Sequence, residues 1–308
     1  MPIPPAAYPP APGYAAPPYY GYPPPPGQHR VSRNVRLAIA AGIVIGVLLV
    51  GVLGYVVAGF AFASSRISDA TSAINASQGH RSYVDSTFDL LDQQVIALDS
   101  MRDPNAAKIT YGLLITESQR VSSTVAVDDK ALLAARSHLN DQQWLTLFSQ
   151  GRLATEAGRI DHARNAVTNV KLAAHDYVLL GQFLQAFYQA QIDWVDLLAA
   201  VDTKDIVAAI AADNAFQADT SKALQVSNAP GLPVEYHDFL VAMQAYAADV
   251  AKLFNARDQA TSDAAAKSIK ADIANMNAVT FTGTTAKIRA YYTRYRDTFH
   301  AEMDQATA

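Results

Sequence analysis

The sequence predicts an all-α protein with three parts: a disordered Pro/Tyr-rich N-terminal tail, a single-pass membrane anchor, and an extracytoplasmic multi-helix bundle or helical array. Three observations support this fold class. Proline is concentrated at the start of the chain, a long uncharged apolar run follows, and the remainder has helical periodicity with no clear period-2 strand pattern. The predicted boundaries are residues 1–34 for the tail, 35–63 for the transmembrane helix and 64–308 for the helical domain.

The high proline content predicts that the tail is disordered. Residues 1–27 hold twelve of the fifteen prolines and five tyrosines. Because proline removes backbone donors and the few apolar side chains cannot offset the entropy of ordering, we expect polyproline II character without a fixed fold. Pro17, Pro18 and Tyr20 fit the Pro-Pro-x-Tyr pattern that WW-type grooves bind, and a plain spacer is the alternative interpretation.

The apolar run predicts an uncleaved membrane anchor. Residues 37–62 contain no charged side chain, and this length exceeds the roughly 20 residues needed to span a bilayer. A signal peptide cleaved at residues 61–63 is the competing interpretation, because Ala61-Phe62-Ala63 resembles a cleavage site. The run is, however, much longer than the roughly 7–15 residues of a signal peptide's apolar region.

Flanking charge predicts the orientation of the anchor in the cell membrane. Arg30, Arg33 and Arg36 precede the apolar run, whereas Arg66 is the only basic residue within the next fifteen. Because basic flanks remain cytoplasmic, we expect the N-terminus inside and the C-terminal domain outside.

Small residues along the anchor raise a second expectation. Ala38, Gly42 and Gly46 are spaced by four and share one helix face. Such a face lets two membrane helices approach closely, so it predicts homodimer formation. Glycine is also common in solitary membrane helices, which leaves a monomeric anchor as the alternative.

The helical domain carries an acidic balance and no cysteine. Residues 37–308 contain 21 basic and 28 acidic side chains, a net charge of −7. This balance argues against nucleic-acid binding, which requires a basic surface. The absence of cysteine excludes disulfides, thiolate metal sites and cysteine nucleophiles.

Periodicity and breakers divide residues 64–308 into helices. Over 67–98, two seven-residue series are mostly apolar, which predicts one buried seam on either a bundle helix or a parallel stalk. Asp103-Pro104 predicts a helix stop and restart, and the segment 228–233 predicts a strong break and a subdivision of the domain. The remaining helices are expected at 105–126, 129–150, 153–172, 175–200, 203–225, 233–256, 258–278 and 284–305.

Catalytic signatures are missing from the sequence. It has no nucleophile elbow, phosphate loop or His-Glu-x-x-His motif, and its four glutamates form no Glu-x-x-His pair. We therefore expect no enzyme activity, no cofactor and no metal. Asp193 and Asp196 continue a stripe of glutamines at helical spacing, which predicts that both carboxylates face water.

Two groups of side chains are candidates for binding. The most apolar helix, 175–200, predicts a ligand pocket near Tyr177, Phe187, Tyr188 and Trp194. In the last helix, Arg289, Tyr292 and Arg296 interleave basic and aromatic side chains, a composition suited to an anionic surface.

These features favour a membrane-anchored, non-enzymatic interaction protein of the cell envelope. Its expected partners are the bilayer and a protein or envelope polymer, with the tail available for weak cytoplasmic contacts. The alternative is an extracytoplasmic small-molecule-binding domain, sensor-like or catalytic, with a pocket between helices.

Overall fold

A computed structural model describes residues 33–99, 101, 103–141 and 143–308. Every regular element in these ranges is helical, which confirms the predicted all-α class. Residues 1–32 of the predicted tail, including Pro17, Pro18 and Tyr20, lie outside the described residues, and only the backbone of Ala38 and Gly42 is described. The α-helices are α1 Arg33–Gly79, α2 Arg81–Ile96, α3 Pro104–Asn140, α4 Gln150–Asp202, α5 Ile206–Gln225, α6 Val234–Phe254, α7 Gln259–Ala278 and α8 Thr284–Thr307.

The first helix contains the apolar run. Within the helical stretch Val44–Ile96, one 18-residue window has a mean hydropathy of 2.5 and only 6% of it is buried. The stretch is therefore long and apolar enough, by length and composition, to cross a membrane. Gly46 is exposed on this helix. The side chains from Val44 to Gly54 are all exposed, whereas Gly59 and Ala63 are buried.

Residues 55–308 form one compact unit. Its central element is α4, which packs against α3, α5 and α8, while α6 packs against α5 and α7. With 53 residues, α4 is about 80 Å long at 1.5 Å per residue. The predicted break at 228–233 joins α5 to α6 inside this unit.

The seven-residue seam over 67–98 is buried inside the chain. Ile74, Val84 and Leu91 are almost completely inaccessible, and α2 packs against α3 and α8. Of the two polar positions, Ser77 is buried and Arg81 donates to Asp304 Oδ1 at 2.6 Å. The seam of α1 and α2 is therefore packed against other helices of the same chain.

Local capping signals locate three helix starts. The Asp103 side chain accepts a hydrogen bond from the backbone N–H of Asn105, with Pro104 in the first turn, as the restart predicted there requires. Asp205 caps α5, and Asp258 caps α7, by the same type of bond.

Two predicted helix breaks are absent from the fold. α3 continues through Asp128 and Asp129, and α4 continues through residues 172–175. Both aspartates make tertiary contacts. Buried Asp128 contacts His80 Nδ1 at 2.9 Å, and Asp129 binds both Arg164 and Lys171. Partial burial acts to raise the pKa of Asp129, but the charges and hydrogen bonds of Lys171 and Arg164 together outweigh it, so the pKa is lowered.

The predicted helix 129–150 is also corrected at its far end. α3 stops at Asn140, and the 3-10 segment Gln143–Ser149 follows, with a kink at Thr146 (φ −110°, ψ 21°). The apolar side chains of this segment continue the helical pattern of the sequence, although the backbone leaves the α-helix at Asn140.

Candidate functional site

The four aromatic residues predicted to line one pocket do not meet in one place. The ring of Tyr177 stacks on that of Tyr292, with centroids 3.7 Å apart, in the contact between α4 and α8. Trp194 lies farther along α4, its ring centroid 6.2 Å from that of Tyr246 in α6. Phe187 and Tyr188 do line a common open groove.

This aromatic groove lies where α4 meets α6 and the start of α8, beside the α2–α3 connection. It encloses about 390 Å³. Its lining mixes apolar side chains with the polar atoms of two tyrosines, a glutamine and a threonine. The lining residues are Leu98, Met101, Phe187, Tyr188, Gln191, Tyr236, Phe281 and Thr284.

Aromatic packing makes the wall of the groove. Phe187 meets Tyr188 edge to face at 5.5 Å and Tyr236 at 5.4 Å between centroids. Tyr236 in turn contacts Phe281 at 4.9 Å. Edge-to-face pairs of this kind are favourable beyond the apolar area that they bury, so they fix the shape of the wall.

Tyr188 is held from the opposite side by α3. Its ring stacks on Tyr111 with centroids 5.6 Å apart. Burial raises the pKa of Tyr188, although its hydrogen bond with Tyr111 acts in the opposite direction. The hydroxyl is therefore neutral at physiological pH.

An exposed apolar surface continues from the groove along α4. Lys108, near the start of α3, donates to Gln189 at 2.5 Å, and α4 then extends beyond this contact to Asp202. Tyr188, Gln191, Val195 and Leu198 follow one another at steps of three and four, so they share a face. We define the α4–α5 apolar surface by side chains that are 42 to 81% exposed: Val195, Leu198, Val201, Ile206, Val207 and Ile210.

The arrangement is suited to non-covalent recognition. An aromatic groove of mixed polarity next to exposed aliphatic side chains can bury the apolar face of a partner segment, while neutral hydroxyl and amide groups orient it. Among the residues that the structure describes, no cluster of three or more His, Asp or Glu side chains has a geometry that could hold a metal ion.

The residues predicted to contact an anionic surface lie against α2. Arg289 donates to both carboxylate oxygens of Asp92, at 2.7 and 2.9 Å, and Arg296 binds Asp89 at 2.6 Å. Tyr292 is buried and donates to the carbonyl oxygen of Pro230 at 3.1 Å. Both arginines are therefore paired with carboxylates of α2, and Arg289 remains exposed beside its partner.

Asp193 corrects the prediction that both acids of α4 face water. Asp196 is exposed, but Asp193 is only 7% exposed. Gln189 donates to its Oδ1 at 2.8 Å, and its Oδ2 has no hydrogen-bond donor among the described residues. Burial, followed by the neighbouring carboxyl of Asp219 in α5, raises the pKa of Asp193 to about 6.

The hairpin α6–α7 also holds two carboxyl groups close together. A shift of 56 residues aligns Asp193 with Asp249 in the sequence, a match that the alanine-rich composition explains as well as a duplication does. Asp249 lies next to Asp272 of α7, whose pKa is raised first by burial and then by Asp249. Each hairpin therefore holds one carboxyl group against another across its two helices.

Comparison with known proteins identifies no relative. No family model matches the sequence, and no match is found among curated proteins or solved structures.

Proposed function

We propose that the chain is a membrane-anchored, non-enzymatic interaction protein of the cell envelope. In this proposal, its extracytoplasmic helical unit binds a partner protein through the aromatic groove and the α4–α5 apolar surface. The observation that carries the proposal is the exposure of that surface, where Val207 is 81% and Ile206 is 65% accessible.

Exposed aliphatic side chains have an unfavourable hydration free energy, which burial against a partner removes. Scattered surface apolar residues need no explanation, but a contiguous group is typical of an interaction site. Val195 and Leu198 continue the face that holds Tyr188 and Gln191 of the groove, so the groove and the α4 part of the surface follow one face of the helix. An amphipathic helix of a partner, laid along this strip, fits both its length and its apolar character.

The anchor and tail complete the proposed arrangement. The basic residues before the apolar run favour a cytoplasmic N-terminus and an extracytoplasmic position for residues 64–308. Small residues at positions 38, 42 and 46 favour self-association within the membrane. Pro17, Pro18 and Tyr20 remain a predicted site for weak cytoplasmic recruitment.

A second candidate function is the binding of a small molecule. The volume of the groove falls within the roughly 300–1,000 Å³ range of ligand pockets, and Phe187 and Tyr188 line it, as the sequence predicted for such a site. A reproducible extra mass of small-molecule size on the intact, purified chain, lost on Phe187→Ala, favours this function.

Photo-cross-linking in intact cells tests the interaction function. A photoreactive phenylalanine analogue at Val195 or Val207 is expected to capture one defined partner. The same analogue at Val127, which is 66% exposed on α3, is the matched control and is expected to capture none. A Leu198→Asp substitution should remove the adduct, because it places a charge in the apolar contact. Identical adducts from all three positions, or adducts that persist with Leu198→Asp, contradict the proposal.

A further inference from the structure

The 3-10 segment Gln143–Ser149 exposes large apolar side chains. Trp144, Leu147 and Phe148 are 63, 56 and 65% accessible. The segment connects α3 to α4, a position usually occupied by polar residues. Among its side chains whose burial is described, the buried ones, Thr146 and Ser149, are polar, and Trp144, Leu147 and Phe148 are directed away from the core.

The segment is attached to the apolar helix α1. The ring of Trp144 stacks on that of Tyr55, with centroids 6.3 Å apart and an interplanar angle of 26°. The Tyr55 hydroxyl donates to the Trp144 carbonyl oxygen. One further contact fixes the same end of α3, since Arg66 donates to the carbonyl oxygen of Asp141.

Burial along α1 begins beyond Tyr55. Val44 to Gly54 are all exposed; farther on, Gly59 and Ala63 are buried, while Val57, Ala58, Phe60 and Ala61 remain exposed. The part of the uncharged run that precedes Tyr55 begins at residue 37, and its length is close to the roughly 20 residues that span a bilayer. With this part as the span, Tyr55 lies where the hydrocarbon region gives way to headgroups, the level at which tyrosine and tryptophan are enriched.

We propose that Gln143–Ser149 is a second membrane contact, through which Trp144, Leu147 and Phe148 enter the headgroup–acyl boundary of the leaflet beside Tyr55. The inference rests on α1 being a membrane span and goes beyond the proposed binding of a partner.

Lipid is the occupant that fits this surface. Trp144 already contacts a residue of the apolar run, so the segment continues a surface that the bilayer is proposed to cover. A tryptophan, a leucine and a phenylalanine on one short segment are typical of interfacial insertion. Arg152, exposed one turn into α4, carries a basic side chain suited to lipid phosphate.

Fluorescence quenching in lipid vesicles tests the inference, because Trp144 and Trp194 are the only tryptophans. The full chain carrying Trp194→Phe is incorporated into phosphatidylcholine–phosphatidylglycerol vesicles whose acyl chains are brominated near the headgroup. We expect a roughly twofold or greater loss of Trp144 emission, since interfacial side chains lie within reach of these bromines. Emission that bromine leaves unchanged while aqueous acrylamide quenches it overturns the inference.

Two controls separate the outcomes. Trp144→Phe leaves only Trp194, which packs against Tyr246, and should show little quenching by bromine; its difference from the wild-type chain gives the same readout if Trp194→Phe does not fold. Protection of Trp144 from both bromine and acrylamide identifies a protein contact, a second copy included, and also overturns the inference. A chain that does not float with vesicles contradicts the membrane span itself, whereas a chain that floats without quenching contradicts only the second contact.

Discussion

Replacing Gly181 by valine is expected to destabilise the folded unit more than any other single change considered for this chain. A Cβ at this position would lie 2.6 Å from Ile115 Cγ1, 3.0 Å from Leu114 Cδ2 and 3.3 Å from the Tyr111 carbonyl oxygen. The helices α3 and α4 cross here too closely for a side chain. Because a packed core yields little, we expect a loss of roughly 3 kcal/mol in the free energy of unfolding.

Thermal unfolding of the detergent-solubilised chain, followed by circular dichroism, measures this effect. For a unit of this size, the loss corresponds to a decrease in Tm of roughly 10 °C. Gly158→Ala is the matched control in the same helix, because a Cβ there meets no atom within 4 Å. It should raise stability by up to about 1 kcal/mol through helix propensity. Equal effects at the two glycines would contradict the close α3–α4 contact.

Asp193→Asn is expected to stabilise the unit at pH 7.5 and to lose that advantage in acid. The pKa of Asp193 in the folded state, about 6, exceeds the ordinary value of 3.8. The folded state therefore binds more protons than the unfolded state between these pH values, and stability falls as pH rises through about 6. Above that pH, ionised Asp193 is buried beside the carboxyl of Asp219, and asparagine removes this cost.

Denaturant titrations at several pH values measure the expected difference. At pH 7.5 the variant should be more stable by roughly 2 kcal/mol, and the difference should vanish near pH 4. Asp196→Asn is the control; its exposed side chain should change stability by less than about 0.5 kcal/mol at either pH. A variant less stable than the wild type at pH 7.5 would show that the carboxylate has a compensating partner.

Local signals in the sequence predicted much of the fold. Asp103-Pro104 is recognisable as a helix start because capping depends on neighbouring residues alone. The break over 228–233 is equally local, since two prolines and a glycine interrupt the helical pattern; Gly231 adopts a φ of +75° there. No proline or glycine lies in residues 113–140 or 159–180, which agrees with the continuous α3 and α4 there, but the end of α3 at Asn140 has no such signal either.

Contacts between distant helices could not be predicted in this way. In the sequence, Arg289 and Arg296 form a basic stripe on the last helix. Their ion pairs with α2, about two hundred residues earlier in the chain, do not follow from that spacing. The helical spacing of Asp85, Asp89 and Asp92 was the available signal for that pairing. Asp193 continues a polar stripe in the sequence, and only the position of α5 buries it.

The candidate site was predicted in part for the same reason. Phe187 and Tyr188 were recognisable from the apolar character of their helix, but Tyr236 and Phe281 join them through tertiary packing. The apolar surface at Val195 and Leu198 could not be separated from a buried face, because periodicity does not reveal that α4 extends beyond the start of α3.

Labelling of introduced cysteines tests the central claim most directly, because the chain has none of its own. Two single-cysteine variants, Ala16→Cys in the tail and Val127→Cys on α3, outside the α4–α5 apolar surface, are treated in intact cells with a membrane-impermeant maleimide. An anchored protein with an extracytoplasmic helical unit should label at position 127, which is 66% exposed, in intact cells, and at position 16 only after the membrane is permeabilised. Labelling at position 16 with protection at 127 until permeabilisation would reverse the orientation and contradict the proposed function.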